Sequence, residues 1–300
     1  DFLHIKLDLS QLTNFNISVA ITDKFIEACE NNDNWEFKFN NKRYKVFQTN
    51  RVSSDGTSEI INIVALSQED ALERAKLHHL NLWNDNFEDV QEVNFKAIDL
   101  WNRLWENAVK SGEPGIFNLS LTNRYTNMSY FLKMNATNPC GEIPLDSYAN
   151  CCLGHINLSN MVNETSDDLD WNRLARTIRT GIRFLDNVLT VNHYPLDECK
   201  VAGDRSRRIG LGTMGLHHML IKLGIKYGTE KSIEFIDRLY TTIRNESYLS
   251  SVYLARERGS FPEFSYKKYL NEEFAKTLPA RIRMLIKEHG IRNAVMLTAA

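Results

Sequence analysis

The feature that most constrains the fold is a long helical period in the second half of the chain. Between Trp171 and Val191 the apolar residues recur every three or four positions, which places them on one face of an α-helix. These apolar residues are Leu174, Ile178, Ile182, Leu185 and Leu189. Asp168 or Asp170 precedes the segment as a candidate N-cap. With 300 residues, the chain is long enough to bury a sizeable core.

Other segments predict further helices and strands. Helices are expected over residues 24–30, 97–110, 214–223, 230–258 and 280–289. The helix at 97–110 should carry one apolar face, formed by Ile98, Trp101, Leu104, Trp105 and Ala108. Residues 15–19 alternate like a half-buried strand just before the first helix, and residues 135–160 lack a helical period. This order of elements indicates an α/β protein.

A small unit is predicted early in the chain. Two apolar segments, 44–47 and 60–64, flank the polar loop 53–57, as in a β-hairpin. Ser67 stands at capping-box spacing before Asp70, so a helix is expected to follow the hairpin to about residue 80. The next polar–apolar segment, 89–93, would add a strand. The unit therefore has the predicted order ββαβ.

This order suggests an insertion into a larger domain. We predict that residues 43–93 form the inserted unit, and that residues 1–42 and 94–300 belong to one interrupted domain. Both ends of that domain look truncated, because the chain begins at Asp1 instead of Met. At the other end, the apolar run 295–299 has no turn or cap behind it. We therefore expect an internal fragment of a longer protein.

Composition and charge argue against several classes of protein. The chain is 43% hydrophobic and 25% charged, with a formal net charge of −2, so no excess of basic charge marks it for nucleic acid or a membrane surface. No apolar run approaches the roughly 18 residues that a membrane span needs. No signal peptide opens the chain either. We expect a cytoplasmic protein with neither a membrane partner nor a nucleic-acid partner.

The cysteines and histidines do not predict a metal site. The five cysteines are odd in number and form no C-x-x-C pair, which argues against a disulfide framework and a zinc knuckle. They are Cys29, Cys140, Cys151, Cys152 and Cys199. Histidines occur as adjacent pairs, His78-His79 and His217-His218, and not at the H-x-x-x-H spacing that places two ligands on one helix face.

A glycine motif, G-x-G-x-x-G, occupies residues 210–215. A dinucleotide-binding fingerprint follows a buried strand, but residues 202–208 include Arg205, Arg207 and Arg208 and do not read as one. We therefore favour close packing by glycine at a helix start, and expect the arginines to be solvated or salt-bridged. A flavin- or NAD-binding oxidoreductase is the distant alternative.

The segment Asn138-Pro139-Cys140-Gly141-Glu142 is the best candidate for chemistry. Pro139 lacks an amide hydrogen and Gly141 tolerates a positive φ, so Cys140 is expected in a constrained loop. Alternation along an extended loop would bring the amide, thiol and carboxylate side chains to one side. Such a group offers a reactive sulfur, an acid or base and a polar orienter. From spacing alone, a packed cysteine in a proline-rich turn with a solvated glutamate is the simpler explanation.

Together these residues resemble the large, catalytic subunit of ribonucleotide reductase, most of all its adenosylcobalamin-dependent class II branch, whose finger loop typically reads N-P-C-G-E. Residues 151–158 are similar to the family's C-x-L-G-x-I-N-L strand, with Cys151 at its cysteine. Cys152 and His155 depart from the commoner pattern, and packing is the default explanation for both. Further matching segments, in family order, are 12–19, 111–115, 183–188, 210–215 and 292–294.

The resemblance implies a fold and an allosteric region. The expected fold is part of the ten-stranded α/β barrel, in which two parallel five-stranded halves run antiparallel to each other around the finger loop. Residues 5–12 lie where the family has its substrate-specificity loop, which senses an effector nucleotide, a dNTP or ATP. The family's phosphate-binding loop and its electron-exchanging tail are expected outside this chain, so the chain alone should be inactive.

The resemblance also implies roles for single residues. Cys140 would carry the thiyl radical that takes the 3′-hydrogen of the ribose. Glu142 would act as general base on the 3′-hydroxyl, and Asn138 would orient the sugar, with Pro139 and Gly141 beside it in the substrate-binding loop. Cys151 would supply one half of a redox-active dithiol whose partner lies outside the chain.

The implied function is reduction of ribonucleotides to 2′-deoxyribonucleotides for DNA synthesis. The implied partners are a ribonucleotide substrate, adenosylcobalamin, nucleotide effectors, thioredoxin or glutaredoxin as reductant, and a second subunit in a homodimer. A class I large subunit, dependent on a radical-generating small subunit, is the nearest alternative, although its loop more often reads N-L-C-x-E. A non-catalytic reductase-like protein should have lost Cys140 or Glu142, and both are present.

Overall fold

The computed structural model describes residues 15–52, 58–78, 86–87, 90–150, 152–163, 165 and 168–297. The chain divides into two compact units, Asp1–Ile116 and Phe117–Ala300. Several of the sequence predictions lie outside the described residues, among them the specificity loop at 5–12, the hairpin loop at 53–57, the redox-active Cys151 and the last residues of the apolar run at 295–299.

The first unit combines a strand–helix framework with a small sheet. Its elements are β1 Ser18–Ile21, α1 Asp23–Glu30, β2 Phe37–Phe39, β3 Lys42–Val52, β4 Ser58–Ala65, α2 Gln68–His78, β5 Asn86–Phe87, β6 Gln91–Val93, α3 Ala97–Ser111 and β7 Gly115–Asn118, which pairs with β1. Thr22 caps α1, because its hydroxyl accepts a hydrogen bond from the amide of Phe25 at 3.3 Å. The first strand begins three residues later than predicted.

The small sheet has β3 at its centre. β4 pairs with β3 in antiparallel register along its whole length, from Lys45↔Ala65 to Val52↔Ser58, and β2, β5 and β6 also pair with β3. Helix α2 packs on this sheet over a core of its own. That core consists of Phe47, Ile63, Ala65, Ala71, Ala75 and Val90. The predicted order ββαβ is confirmed, and the two short strands β2 and β5 add to it.

Helix α3 has the predicted position, and its predicted apolar face is confirmed except at one residue, Trp105. It ends at Gly112, whose φ of 78° is left-handed and suits glycine. Leu104 is fully buried, whereas Trp105 is 52% exposed, so the inclusion of Trp105 in the apolar face is wrong. Consecutive helical residues point about 100° apart, so a helix that turns Leu104 into the core turns Trp105 away from it.

The second unit is richer in helix. Its elements are α4 Leu119–Tyr125, β8 Ala136–Thr137, β9 Pro144–Leu145, β10 Leu153–Asn157, α5 Trp171–Val191, α6 Asp197–Ser206, β11 Ile209–Met214, α7 Leu216–Lys222, α8 Glu230–Arg258, α9 Tyr266–Tyr269, α10 Glu273–Lys276, α11 Ala280–His289 and β12 Met296–Leu297. The predicted bounds of α5, α8 and α11 are confirmed, as is the cap of α5 by Asp170. α7 starts two residues later than predicted, because Met214 belongs to β11.

A parallel sheet organises this unit. Its order is β10-β11-β12, with Leu153 paired to Gly210 and Ile209 paired to Met296. α5 packs against the sheet so closely that a Cβ on its Gly181 would lie 3.1 Å from Leu211. All five apolar residues that predicted α5 are buried in the same core.

The mixed α/β class is therefore confirmed, while closure of the barrel is not seen. None of the sheets in the described residues closes on itself, and the parallel sheet has three strands. A second core in this unit lies between α8 and α11 and contains Tyr248, Phe261 and Tyr269. Among the described residues, no helix is both long and apolar enough to cross a membrane.

Candidate active site

The N-P-C-G-E segment lies at the tip of a short hairpin. β8 pairs with β9 in antiparallel register through two residue pairs, Ala136↔Leu145 and Thr137↔Pro144. Backbone hydrogen bonds extend the ladder at both ends, from Asn135 N to Leu145 O at 2.9 Å and from Asn138 N to Ile143 O at 3.2 Å. The catalytic candidates thus occupy a six-residue loop, 138–143, which we call the Cys140 loop.

A β-turn shapes the Cys140 loop. The amide of Gly141 donates to the carbonyl of Asn138 at 3.0 Å, which makes Pro139 and Cys140 the two central residues of the turn. Gly141, the last residue of the turn, has a φ of 88°, which glycine adopts without strain. The side-chain oxygen of Asn138 then accepts the amide of Ile143 at 2.9 Å and closes the loop. The expectation of a constrained loop is therefore confirmed, whereas extended alternation along it is wrong.

The turn gives each candidate side chain a different environment. Cys140 is exposed. Glu142 is half-buried, and its Oε2 atom is buried with no hydrogen-bond partner among the described residues. Buried carboxylate oxygens nearly always have partners, so this one is suited to accept a proton or a hydrogen bond from a ligand. Because the oxygen of Asn138 is occupied, its amide nitrogen is the end that can donate to a substrate.

Two sets of contacts hold the base of this hairpin. Arg208 Nη2 lies 2.6 Å from Asp146 Oδ1, and both side chains are almost fully buried. The side-chain amide of Asn123 makes two hydrogen bonds to the backbone of Met134, the residue before the hairpin. Its oxygen accepts from Met134 N at 2.9 Å, and its nitrogen donates to Met134 O at 3.0 Å. Neither Asp146 nor Asn123 was predicted from the sequence. The sequence did contain one signal for a carboxylate partner. Arg208 stands directly before a buried strand, and a buried charge needs a partner of opposite charge.

Cys152, directly before β10, and His155, within it, are the two departures from the family pattern. Cys152 is buried, and its sulfur lies 3.6 Å from Leu185 O. Burial, and secondarily the charge of Asp186, raises the pKa of the Cys152 thiol. Packing therefore explains Cys152, as expected. His155 is exposed, so packing does not explain it. No group of three or more His, Cys, Asp or Glu side chains gathers into a metal site in the described part of the chain.

The glycine motif builds a strand and a helix start. Residues 210–214 form most of β11, and Gly215 follows with a φ of 72° directly before α7. A Cβ on Gly215 would lie 2.7 Å from Asn157 Oδ1, so the expected close packing is confirmed. In a dinucleotide site the first glycines instead form a loop after the strand.

The three arginines before β11 are salt-bridged. Arg205 pairs with Glu263 at 3.1 Å, Arg207 pairs with Asp186 at 2.8 Å, and Arg208 pairs with Asp146. The expectation that they are salt-bridged or solvated is confirmed, although two of the pairs are buried instead of solvated.

Comparison with known proteins adds to this geometry. The family model described as "Ribonucleotide reductase, barrel domain" matches residues 1–300 of the chain. The chain belongs to the ribonucleotide reductase family. A vitamin B12-dependent ribonucleoside-diphosphate reductase of Mycobacterium tuberculosis is 31% identical to it over 282 residues, which cover 94% of this chain and 32% of that protein.

Two further relatives of this ribonucleotide reductase chain differ in their names. A vitamin B12-dependent ribonucleoside-diphosphate reductase of Thermoplasma acidophilum is 32% identical over 251 residues, covering 84% of this chain and 27% of that protein. A ribonucleoside-diphosphate reductase subunit alpha of Chlamydia pneumoniae is 34% identical over 178 residues, covering 58% of this chain and 17% of that protein. The chain thus spans about a third or less of the length of these relatives.

Proposed function

We propose that this chain carries the catalytic loop of an enzyme that reduces ribonucleotides to 2′-deoxyribonucleotides by a thiyl-radical mechanism. One observation carries the proposal. In a single six-residue loop, an exposed thiol, Cys140, lies two residues from Glu142, a carboxylate with one buried oxygen that has no partner in the described part of the chain. A merely structural turn would leave this glutamate solvated or hydrogen-bonded, because an unsatisfied buried carboxylate oxygen costs about 1–3 kcal/mol or more.

The proposed first step uses all three polar groups of the Cys140 loop. The sulfur radical of Cys140 takes the 3′-hydrogen of the ribose, which forms an S–H bond and leaves a carbon radical. Glu142 accepts the proton of the 3′-hydroxyl through its free oxygen, and the amide nitrogen of Asn138 donates a hydrogen bond to the sugar. Pro139 and Gly141 hold these groups in the turn around the substrate.

Completion of the reaction requires two reducing equivalents. The 2′-hydroxyl leaves as water, a dithiol is oxidised to a disulfide, and the thiol of Cys140 returns a hydrogen to C3′. We assign Cys151 as one half of that dithiol, with its partner in another part of the enzyme, and thioredoxin or glutaredoxin as the external reductant. Its neighbour Cys152 is unsuited to this role, because its thiol is buried and its pKa is raised by that burial.

The radical source is proposed to be adenosylcobalamin. An exposed Cys140 fits a group that approaches the loop from outside, and when bound this cofactor supplies the one-electron oxidation of the thiol. The B12-dependent names of two relatives support the class II assignment. The subunit alpha relative supports the alternative, a class I large subunit served by a radical-generating small subunit.

The remaining properties of the proposed enzyme follow from its family. We propose a closed ten-stranded barrel around the Cys140 loop, a homodimer, regulation by a dNTP or ATP, and a cytoplasmic location. The names of the two B12-dependent relatives favour a ribonucleoside diphosphate as substrate. An activity assay with ribonucleoside di- and triphosphates distinguishes the two.

The test uses the full-length protein with adenosylcobalamin, a dithiol and a ribonucleotide, and measures 2′-deoxyribonucleotide formed. Cys140→Ser should abolish turnover, and Glu142→Gln should lower kcat roughly 10²- to 10⁴-fold, the range for loss of general base catalysis. Cys199→Ser, at a half-buried thiol of α6, is the matched control and should retain activity. Turnover by Cys140→Ser would refute the mechanism. Turnover that needs a small subunit instead of the cobalamin would select class I.

A Cys151→Ser variant tests the reductive step separately. It should allow at most one aberrant turnover per active site, because the dithiol cannot be regenerated. Rapid-quench measurement of product per enzyme reads this directly, with Cys152→Ser as the neighbouring control. Sustained turnover driven by thioredoxin in Cys151→Ser would contradict the assignment.

A further inference from the structure

The Cys140 loop depends on contacts at the base of its hairpin, since its own ladder is minimal. β8 and β9 contribute two residue pairs, and an isolated hairpin is marginally stable at best in water. The residue after β9 is Asp146, whose carboxylate meets the Arg208 guanidinium at 2.6 Å. Arg208 Nη2 also lies 3.5 Å from the sulfur of Met134, on the opposite side of the hairpin base. One arginine thus contacts both chain segments that enter the hairpin.

Arg208 also connects the hairpin to the parallel sheet. It directly precedes β11, the central strand, so its backbone moves with that sheet. The preceding residue, Arg207, turns the other way and binds the buried Asp186 of α5 at 2.8 Å. Two consecutive arginines therefore fasten the start of β11 to two different elements. The pair Arg207–Asp186 fixes the sheet to a helix, and the pair Arg208–Asp146 fixes it to the Cys140 hairpin.

We propose that Asp146 and Arg208 are positioning residues, which fix the Cys140 loop relative to the parallel sheet and so set where the thiol stands. The inference rests on the proposed function of Cys140 as the radical carrier. Neither residue lies in the Cys140 loop, so they act through the hairpin. Precise placement matters for such chemistry, because a shift of about 1 Å in a reacting group can lower the rate about 100-fold.

The experiment compares the Asp146–Arg208 pair with a second buried Asp–Arg contact, that of Asp186 with Arg207, in the full-length protein. Asp146→Asn and Arg208→Lys weaken the contact of β11 with the Cys140 hairpin, and we call them the hairpin variants. Asp186→Asn and Arg207→Lys weaken the contact of β11 with α5, and we call them the helix-pair variants. Each variant is measured at a temperature where it is folded, for ribonucleotide reduction and for amide hydrogen exchange in peptides covering 134–147. Arg208→Lys keeps the positive charge and serves if Asp146→Asn does not fold.

We expect the hairpin variants to lower kcat roughly 10- to 100-fold with little change in KM. Amide exchange at Gly141 and Ile143, whose amides close the loop, should become faster in the same variants. The helix-pair variants should lose stability but leave kcat and the exchange of this loop near wild type. Asp146→Asn and Arg208→Lys should also combine less than additively, as partners in one interaction do.

Two results would overturn the inference. One is hairpin variants with wild-type kcat and loop exchange, and the other is an equal loss of kcat in the helix-pair variants at matched stability. If the wild-type protein reduces no ribonucleotide, the proposed function fails instead. The exchange measurement then still decides whether Asp146 and Arg208 hold the loop.

Discussion

Asp186 is a carboxylate with no exposed surface, and three arginines surround it. It accepts hydrogen bonds from Arg207 at 2.8 Å, Arg258 at 3.1 Å and Arg292 at 3.4 Å. Asn293 adds a fourth donor at 3.2 Å. Burial alone would raise the pKa of Asp186. The arginines outweigh this effect and lower the pKa, through the hydrogen bond and charge of Arg207, the charge of Arg292 and the hydrogen bond from Arg258.

Replacement of this carboxylate should therefore be costly near neutral pH. We expect Asp186→Asn to lower the free energy of unfolding by roughly 3–5 kcal/mol, because it leaves buried arginines without their counter-ion. Since the folded-state pKa is depressed, the contribution is fully present above the unfolded pKa of about 3.9 and is lost as pH falls below it toward the folded pKa. Urea unfolding at several pH values measures the difference between variant and wild type.

Glu257→Gln is the matched control for this prediction. Glu257 also pairs with an arginine, Arg183 at 2.6 Å, and the pairing lowers its pKa, but both side chains are exposed to solvent. Its replacement should change stability far less, because water screens an exposed pair. A gap between Asp186→Asn and wild type that stays constant down to pH 2 would contradict the assigned linkage.

At the scale of elements, the junction between β11 and α7 depends on one glycine. Gly215 adopts a left-handed φ of 72°, and the side-chain oxygen of Asn157, at the end of β10, occupies the space where a Cβ would be. The same oxygen accepts from Ser159 N at 3.1 Å and Ser159 Oγ at 2.8 Å. The glycine thus lets the ends of two adjacent strands approach each other.

Gly215→Ala should destabilise the protein for two reasons that a control separates. Gly224 also has a left-handed φ, 63°, but a Cβ there would meet nothing within 4 Å among the residues that the structure describes. Both substitutions incur backbone strain of about 1–2 kcal/mol. Gly215→Ala should cost about 1–3 kcal/mol more, the range for overpacking. Urea midpoints at constant m measure both, and equal losses would show that the close approach to Asn157 is unimportant.

At the scale of the whole molecule, the small sheet of the first unit joins the rest of the chain through neighbouring segments. Asn34 forms an antiparallel bridge with Lys96, and Trp35 N donates to Phe95 O at 2.7 Å. Paired residues of this kind have Cα atoms about 4.5–5.5 Å apart. The sheet also has its own apolar core. Both features are typical of an insertion that folds by itself.

A deletion should therefore be tolerated if it is cut at this bridge. Replacing residues 36–94 with Asn-Gly would join Trp35 to Phe95 by a two-residue turn of the kind that antiparallel strands accept. We expect the variant to unfold cooperatively and to retain ribonucleotide reduction in the full-length protein. A second variant has the same linker in place of residues 43–93, the bounds predicted from the sequence. It should fold less well, because β2 then lacks its pairing partner β3. Loss of folding in the first variant would contradict the prediction.

The sequence alone predicted the features that depend on residues close together in the chain. The bounds of α5, α8 and α11 followed from a 3.6-residue period with caps, which each segment carries within itself. The Cys140 loop was identified in the same way, because its motif is contiguous. Two-residue strands such as β8 were not assigned individually, since their pairing partners, and not their composition, define them.

Only the tertiary structure decided which charges meet and which polar atoms stay unpaired. Arg207 and Arg208 are adjacent in sequence, yet their partners lie 21 and 62 residues away in different elements. A charged side chain can pair with any opposite charge that packing brings near, and no local pattern encodes that choice. For the same reason the sequence could not predict that a Glu142 oxygen is buried and without a partner within the described ranges, because burial depends on the assembled fold.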